Sequence, residues 1–180
     1  MQIQIGEWSI RSFRSADVDA IVKYGNNPNV SLQLTDRFPY PYTREDAEAW
    51  IDFARDQDPE TLFAIDNGQE LIGGIGLIPQ DDVYSRSAML GYWLGEPFWN
   101  LGIATLAVRT IVDWAFAELD LIRIFAFVFE SNTASTRVLE KTGFTLEGTM
   151  RRAVFKRGRL MDQALYAILI DEVEKEGEQT

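Results

Sequence analysis

LGYWLGEPFWNLGIATLA, residues 90–107, decides the reading of this chain. Just upstream the pattern is already apolar: Met89 to Leu94 is a run rich in aromatics, broken by Gly95-Glu96-Pro97. A short polar loop follows, and from Gly102 the period changes. Ile103, Leu106, Ala107, Thr110, Ile111 and Trp114 recur at three- and four-residue steps, the spacing of one buried helical stripe. A strand, a loop and a helix start therefore meet here. The opening N–H groups of that helix have no internal acceptors and sit at the positive end of its dipole, which favours an anion placed just before Gly102. A phosphate group suits the place. Gly102 leaves the backbone approachable, and Asn100 is among the few non-glycine types that tolerate a left-handed conformation. A plain strand-to-helix connection would use the same residues. Neither the P-loop nor the G-x-G-x-x-G fingerprint is present.

Composition narrows the chemistry. The 180 residues suit one domain, 1–180, with a core from about residue 8 to 170 and an acidic tail over 171–180. A hydrophobic content of 46% excludes a disordered chain. There is no Cys and no His, so disulfides, thiol nucleophiles, Ser-His triads and the usual zinc sites are excluded, and no metal is expected. Catalysis must draw on carboxylates, hydroxyls, amides or the backbone. A formal charge of −11 disfavours nucleic acid as a partner and draws cations towards the surface. No signal peptide opens the chain, and no apolar run reaches the roughly 18 residues of a membrane span. A cytoplasmic protein with no membrane partner is the expectation.

Along the chain, Trp8 to Phe13 alternates as a first strand, and Ser15 is expected to cap a helix with Val18, Ile21 and Val22 inward. Residues 26–41 read as an irregular loop suited to substrate contacts, because Pro28, Pro39 and Pro41 limit regular structure. Thr43 and Asp46 form a capping-box pattern for a helix ending near Asp56, its buried face marked by Ala47, Trp50, Ile51 and Ala54. Leu62 to Asp66 and Glu70 to Ile78 flank Asn67-Gly68, which predicts an antiparallel hairpin with a type I′ turn. Gly73, Gly74 and Gly76 in its second strand suggest close packing or a bulge. Ser87 to Leu94 is the next strand. Leu121 to Phe129, with Arg123 its single charge, reads as a buried central strand parallel to it. Asn132 or Thr133 caps a short helix through Lys141, closed by Gly143, and Thr145–Phe155 and Arg159–Ile170 are two further strands joined at Lys156-Arg157-Gly158. The last ten residues read as a frayed polar tail.

With this order in place, EPFWNLGIATLA and SNTASTRVLEKTGF resemble the GNAT acetyltransferase superfamily, and most of all its RimJ/RimL-like ribosomal-protein N-acetyltransferases. The likeness rests on the GYW strand, the Trp99-x-x-Gly102-x-Ala104 loop, Asn132-x-x-Ser135, the VLEKTGF helix end, and a last strand entered through Asp162. It implies a mixed α/β fold: a mostly antiparallel central sheet of about seven strands with one splayed parallel pair, flanked by about four helices. It also implies acetyl-CoA as co-substrate, a primary amine as the other partner, and a homodimer.

In that family the loop before the long helix holds the pyrophosphate and the pantetheine arm lies in the splay between the two parallel strands. Carried over residue by residue, the resemblance assigns cofactor contacts to Tyr92, Trp93, Leu94, Trp99, Asn100, Leu101, Gly102, Ile103, Ala104, Asn132, Ser135, Arg137 and Lys141. Leu94 would be the main backbone partner, with N–H groups near it stabilising the oxyanion. Asn132 would touch the pantetheine or orient the thioester, and Ser135 would lie near its sulfur; helix capping and a first-turn serine explain the same two residues without a ligand.

Three departures stand out. The basic and glycine positions of the family loop read Trp99, Asn100 and Leu101, the usual tyrosine acid falls at Leu139, and a carboxylate base used by some RimL-like members falls at Val154. Glu45, Asp36 and Glu130 are the carboxylates left as candidate bases, each also explained as solvated surface. A weakly based site favours α-amino groups, whose pKa lies near 8, over lysine at about 10.4. The acceptor reading is therefore a protein N-terminal α-amine, with polyamine or aminoglycoside acetylation, or a non-catalytic CoA-binding regulator, as alternatives.

Overall fold

A computed structural model describes residues 1–177. Its strands are β1 (Gln2–Ile5), β2 (Trp8–Arg11), β3 (Leu62–Asp66), β4 (Leu71–Pro79), β5 (Ser87–Leu94), β6 (Arg123–Phe129), β7 (Thr145–Lys156) and β8 (Arg159–Leu169). The helices are α1 (Val18–Gly25), α2 (Pro28–Leu32), α3 (Arg44–Arg55), α4 (Ile103–Glu118), α5 (Thr133–Lys141) and α6 (Ile170–Gly177). The sheet order is β1-β2-β3-β4-β5-β6-β8-β7, and β5 with β6 is its parallel pair. This is the mixed GNAT-type fold expected, with eight strands and six α-helices among the described residues where the sequence suggested about seven and about four.

The chain forms two compact units. Met1–Gly76 with Tyr92–Ala107 make the first; Leu77–Gly91 with residues from Val108 onward make the second. In the first, α1 and α3 lay Ile21, Val18, Ala47, Ile51 and Ala54 on Phe13, Leu62, Ala64 and Leu71. Phe63, Ile65, Leu71 and Ile72 are fully enclosed, each worth about 1.5–3 kcal/mol relative to exposure. The capping box of α3 forms as read: the Thr43 hydroxyl accepts from the Asp46 N–H, the Asp46 carboxylate from the Thr43 N–H, and Asp56 ends the helix. Arg11 is buried between two carboxylates, donating to Asp17 at 2.7 and 2.8 Å and to Asp66 at 2.6 and 2.9 Å. One guanidinium thus ties β2, the entry to α1 and the end of β3.

In the second unit Val108, Ile111, Val112 and Ala115 of α4 are buried, as are Ile124, Ala126 and Val128 of β6 and Tyr166, Ala167 and Ile168 of β8. Ile103, Ala107 and Ile111 of α4 are buried as expected, but Val108, Val112 and Ala115 complete the buried face in place of Leu106, Thr110 and Trp114, and Leu106 is 40% exposed. The three-four spacing fits either face, and only the packing partners choose between them.

Other differences are local. An added strand, β1, pairs with β2 through a turn at Gly6, so the chain opens on a hairpin. Ser15 starts a single 3₁₀ turn, Ser15–Asp17, in which the Asp17 carboxylate accepts from the Arg14 N–H at 2.8 Å, and α1 proper begins at Val18. Inside residues 26–41, Asn27 caps the short α2, with Pro28 in its first turn. Asn67-Gly68 does not make a two-residue type I′ turn: Asn67 keeps negative φ, its side chain accepts from the N–H groups of Gln69 and Glu70, and the loop spans four residues. The expected frayed tail is helical over residues 171–177, where Glu172 accepts from the Leu169 N–H at 2.8 Å and two acids sit in the first turn. Residues 178–180 of that tail lie outside the described residues.

Candidate active site

The loop into α4 is built from its own sequence. Gly95 sits where a Cβ would come within 2.9 Å of the Tyr24 ring, and its N–H donates to the Ile72 carbonyl at 2.9 Å. Pro97 allows a tight turn, and Phe98 packs edge-on against Tyr24 at 5.1 Å. Glu96 is taken up by two amides, accepting from Asn27 Nδ2 at 2.6 Å and Asn29 Nδ2 at 2.9 Å. These braces, Tyr24, Asn27, Asn29 and Glu96, were not among the residues singled out beforehand. The signal was the Asn26-Asn27-Pro28-Asn29 run, a cluster of amides that the loop reading treated only as irregular chain.

Trp99 explains its own departure from the family loop. Its indole N–H donates to the Leu94 carbonyl at 2.9 Å, closing the turn between β5 and α4. Leu94 is buried, and its carbonyl and the following N–H are both engaged within the protein. Asn100 adopts φ +62° and Gly102 φ +79°, the left-handed conformations expected of both. Leu106 N–H donates to the Gly102 carbonyl at 3.1 Å as the first turn of α4, so the N–H groups of Ile103, Ala104 and Thr105 precede any intrahelical acceptor. A Cβ built on Gly102 meets nothing within 4 Å. The glycine is therefore required by its φ, and the space before it is open to a ligand.

Among the other named residues of this unit, Leu101 is exposed and Tyr92 half-buried. Trp93 turns inward, edge-on to Phe38 at 5.3 Å, while Phe38 meets Tyr42 at 4.7 Å. Burial, then the nearby Asp46 charge, pushes the Tyr42 hydroxyl up to about 12, so it stays protonated. The side chain of Trp93 is thus part of the core, and its carbonyl lies so close to Gly73 that a Cβ there would approach it to 2.3 Å. That contact is the reason for the glycine at position 73 of β4. The side-chain oxygen of Gln33 is buried and has no hydrogen-bond partner among the described residues, a group that an incoming N–H would satisfy.

In the second unit the parallel ladder pairs Ser87 with Arg123, Ala88 with Ile124 and Met89 with Phe125, and ends there. β6 runs on to Phe129, paired with β8 along its whole length. From Ala126 onward β6 has no registered β5 partner, so the ladder stops part-way, as a splayed pair requires. Asn132 caps α5, its side-chain oxygen accepting from the Ser135 N–H at 3.1 Å. The structure therefore joins Asn132 with Ser135 and, separately, Leu94 with Trp99. Arg137 folds back on its own helix, donating to the Thr133 carbonyl at 3.3 Å; Lys141 is exposed, and its carbonyl accepts from Arg109.

Leu139, at the family's tyrosine position, is fully buried, and Val154 is half-buried in β7. A phenol is nonetheless near: Tyr166 donates to Glu140 of α5 at 3.3 Å. Burial, then the Glu140 charge, raises its pKa, so it remains a proton donor at neutral pH. Glu45, Asp36 and Glu130 are all exposed. A cavity of about 310 Å³ in this unit, lined by Arg109, Val112, Thr142, Ile168 and Glu172, includes none of the residues named for the site. No group of metal-ligating side chains occurs among the described residues.

The profile of the acetyltransferase (GNAT) domain matches residues 9–145, which include the loop, the parallel pair and α5. The chain belongs to the GNAT acetyltransferase family. Among relatives of this GNAT chain, the uncharacterized N-acetyltransferase p20 of Bacillus licheniformis is 29% identical over 89% of this chain and 92% of its own. The ribosomal-protein-serine acetyltransferase of Escherichia coli is 31% identical over 61% of each. The solved RimL, a ribosomal L7/L12 alpha-N-protein acetyltransferase in complex with coenzyme A, superposes with a TM-score of 0.84 at 22% identity, covering 96% of this chain and 99% of its own. A spermidine N-acetyltransferase from Vibrio cholerae, with CoA and spermine, gives a TM-score of 0.79 at 24% identity, over 92% and 97%. The RimJ/RimL-like likeness drawn from the motifs thus has counterparts in sequence and in fold. The activity class is N-acetyltransferase.

Proposed function

We propose that this N-acetyltransferase moves an acetyl group from acetyl-CoA directly to the α-amine of a protein N-terminus. One observation carries the cofactor side: Asn100 and Gly102 at positive φ turn open backbone N–H groups to the head of α4. Such a concavity suits a diphosphate without any basic side chain. Ile103, Ala104 and the loop residue Leu101 would line it, and the interrupted β5–β6 ladder would take the pantetheine amides on its unpaired backbone. In the reaction the neutral amine attacks the thioester carbonyl, a carbon–nitrogen bond forms as the carbon–sulfur bond breaks, and the proton lost by the nitrogen balances the one taken by the departing thiolate. Ser135, whose backbone N–H is held by the Asn132 side chain, carries the hydroxyl proposed near that sulfur; Tyr166, which donates to Glu140 of the same helix, is the phenol proposed as an alternative donor. Leu94 remains the backbone partner proposed for the thioester arm, since Trp99 takes only one lone pair of its carbonyl. Most of the rate would come from alignment of amine and thioester.

The acceptor assignment rests on the weak basicity of the site. No carboxylate named for the role is buried, which favours an amine already partly neutral near pH 8 over lysine-like amines. The likeness to the ribosomal-protein-serine acetyltransferase supports the same acceptor class. We place the chain in the cytoplasm as one working domain, since the family match runs through both compact units, and as a homodimer. Among the described residues no helix is long and apolar enough to cross a membrane. Thiol release from acetyl-CoA with peptides bearing free N-termini, spermidine and an aminoglycoside tests the reading. Turnover on peptides supports it, turnover on the small amines alone overturns the acceptor, and cofactor binding without thiol release from any amine overturns transfer.

A further inference from the structure

The β7–β8 hairpin has a charge opposite to the rest of the chain. Residues 151–159, RRAVFKRGR, carry no acid, while the chain as a whole carries −11. Lys156 is buried, but Arg151, Arg152, Arg157 and Arg159 are exposed. Between them Phe155 and Leu160 sit directly opposite each other in the ladder, 70% and 57% exposed. Two large apolar side chains, paired in the ladder and flanked along the chain by arginines, make a compact anchor of a kind enriched at protein interfaces.

The backbone is shaped to present them. Between Met150↔Gln163 and Val154↔Met161 the register slips, so Arg151, Arg152 and Ala153 face Asp162 alone. Arg152 takes φ +54°, a left-handed conformation that non-glycine residues rarely adopt. Asp162 holds the bulge, its carboxylate accepting from the Arg152 N–H at 2.8 Å. Its carbonyl accepts from the Glu130 N–H at 3.1 Å, which ties the bulge to the loop entering α5 at Asn132. Bulges that re-aim side chains beside a functional segment are features a fold keeps.

We propose that this hairpin tip is a docking surface for an acidic polypeptide, the protein carrying the acceptor α-amine; the substrate role rests on the function proposed above. Charge complementarity selects that occupant. A negatively charged partner is repelled by the chain's overall charge and attracted by the arginine tip, so long-range steering and short-range fit favour the same orientation. A nucleic acid strand would extend its charge beyond four arginines, and Leu160 offers it no stacking face. A polypeptide with alternating acidic and apolar residues satisfies both the arginines and the Phe155–Leu160 pair.

The test uses the full chain and two synthetic peptides with the same free N-terminal serine, one continuing in glutamate and leucine, the other with glutamine for every glutamate. Steady-state acetylation and fluorescence anisotropy are measured for the wild type, for Arg151→Gln/Arg157→Gln/Arg159→Gln and for Phe155→Ser. The wild type should prefer the glutamate peptide through KM, by about tenfold, with the preference shrinking as salt rises. The triple variant should lose that preference at unchanged kcat, and Phe155→Ser should weaken both peptides. Equal handling of the two peptides by the wild type overturns the proposal, as does a fall in kcat for both in the triple variant. So does preferential, salt-sensitive capture of poly-uridylate, or a concentration-dependent sedimentation shift abolished by the same substitutions, which would make the tip a self-association surface. Should neither peptide be acetylated, the acceptor reading fails and anisotropy alone decides the tip: loss of glutamate-peptide binding in the triple variant upholds docking, and equal binding overturns it.

Discussion

Replacing Gly102 by alanine separates the demands of folding from those of the cofactor. At φ +79° the new Cβ meets no protein atom within 4 Å, so the folding cost is the left-handed backbone alone, roughly 1–2 kcal/mol. For a domain of this length that lowers Tm by roughly 2–8 °C. If the amides of residues 102–104 hold a diphosphate, the same Cβ stands in the space the ligand needs. Loss of one or two charge-assisted hydrogen bonds then raises the acetyl-CoA Kd by roughly ten- to a hundredfold. Gly158 is a matched control, with the same φ of +79° and the same open surroundings in the β7–β8 turn. Gly158→Ala should lower Tm similarly and leave the Kd alone. Differential scanning calorimetry and isothermal titration of acetyl-CoA into both variants provide the measurements. An unchanged Kd in Gly102→Ala, or an equal rise in Gly158→Ala, would refute the backbone cradle.

Three further outcomes follow from the same contacts. Arg11→Met leaves Asp17 and Asp66 buried without their shared cation and should cost about 3–5 kcal/mol in urea unfolding. Asp46 has its pKa held below the usual carboxylate range, first by the Thr43 N–H and then by the Thr43 hydroxyl, so its contribution is complete above about pH 4 and vanishes as pH falls through its folded pKa. The Tm gap between wild type and Asp46→Asn should accordingly be widest at neutral pH and close in acid. Asn132→Asp keeps a capping side chain whereas Asn132→Ala loses about 1 kcal/mol of helix stability. If Asn132 also serves the thioester, the aspartate variant keeps its Tm and loses kcat; retention of both assigns the residue to capping alone.

Much of the local architecture was written in residues 87–146. Ser87–Leu94, the helix from Ile103, the Asn132 cap and the left-handed Asn100 and Gly102 occur where their short-range chemistry requires, because caps, turns and positive φ depend on neighbours in the chain. Residues joined over long separations were not legible. Glu96 meets Asn27 and Asn29 about 70 positions away, Tyr166 meets Glu140, and Leu106 lies off the buried face although its spacing fits. Amphipathic period specifies that a helix buries a face and leaves which one to the partner surface. By itself, then, the sequence determined the order of the core elements, without β1, α2 and α6, together with the family motifs and the exclusion of histidine and cysteine chemistry. Tertiary structure alone decided that Glu96 is held by Asn27 and Asn29, that the β5–β6 ladder stops at Met89, and that Arg152 sits in a bulge against β8. The physical reason is shared: a donor and its acceptor, or a strand and its partner, are chosen by what packing brings together, and no local propensity encodes that distance.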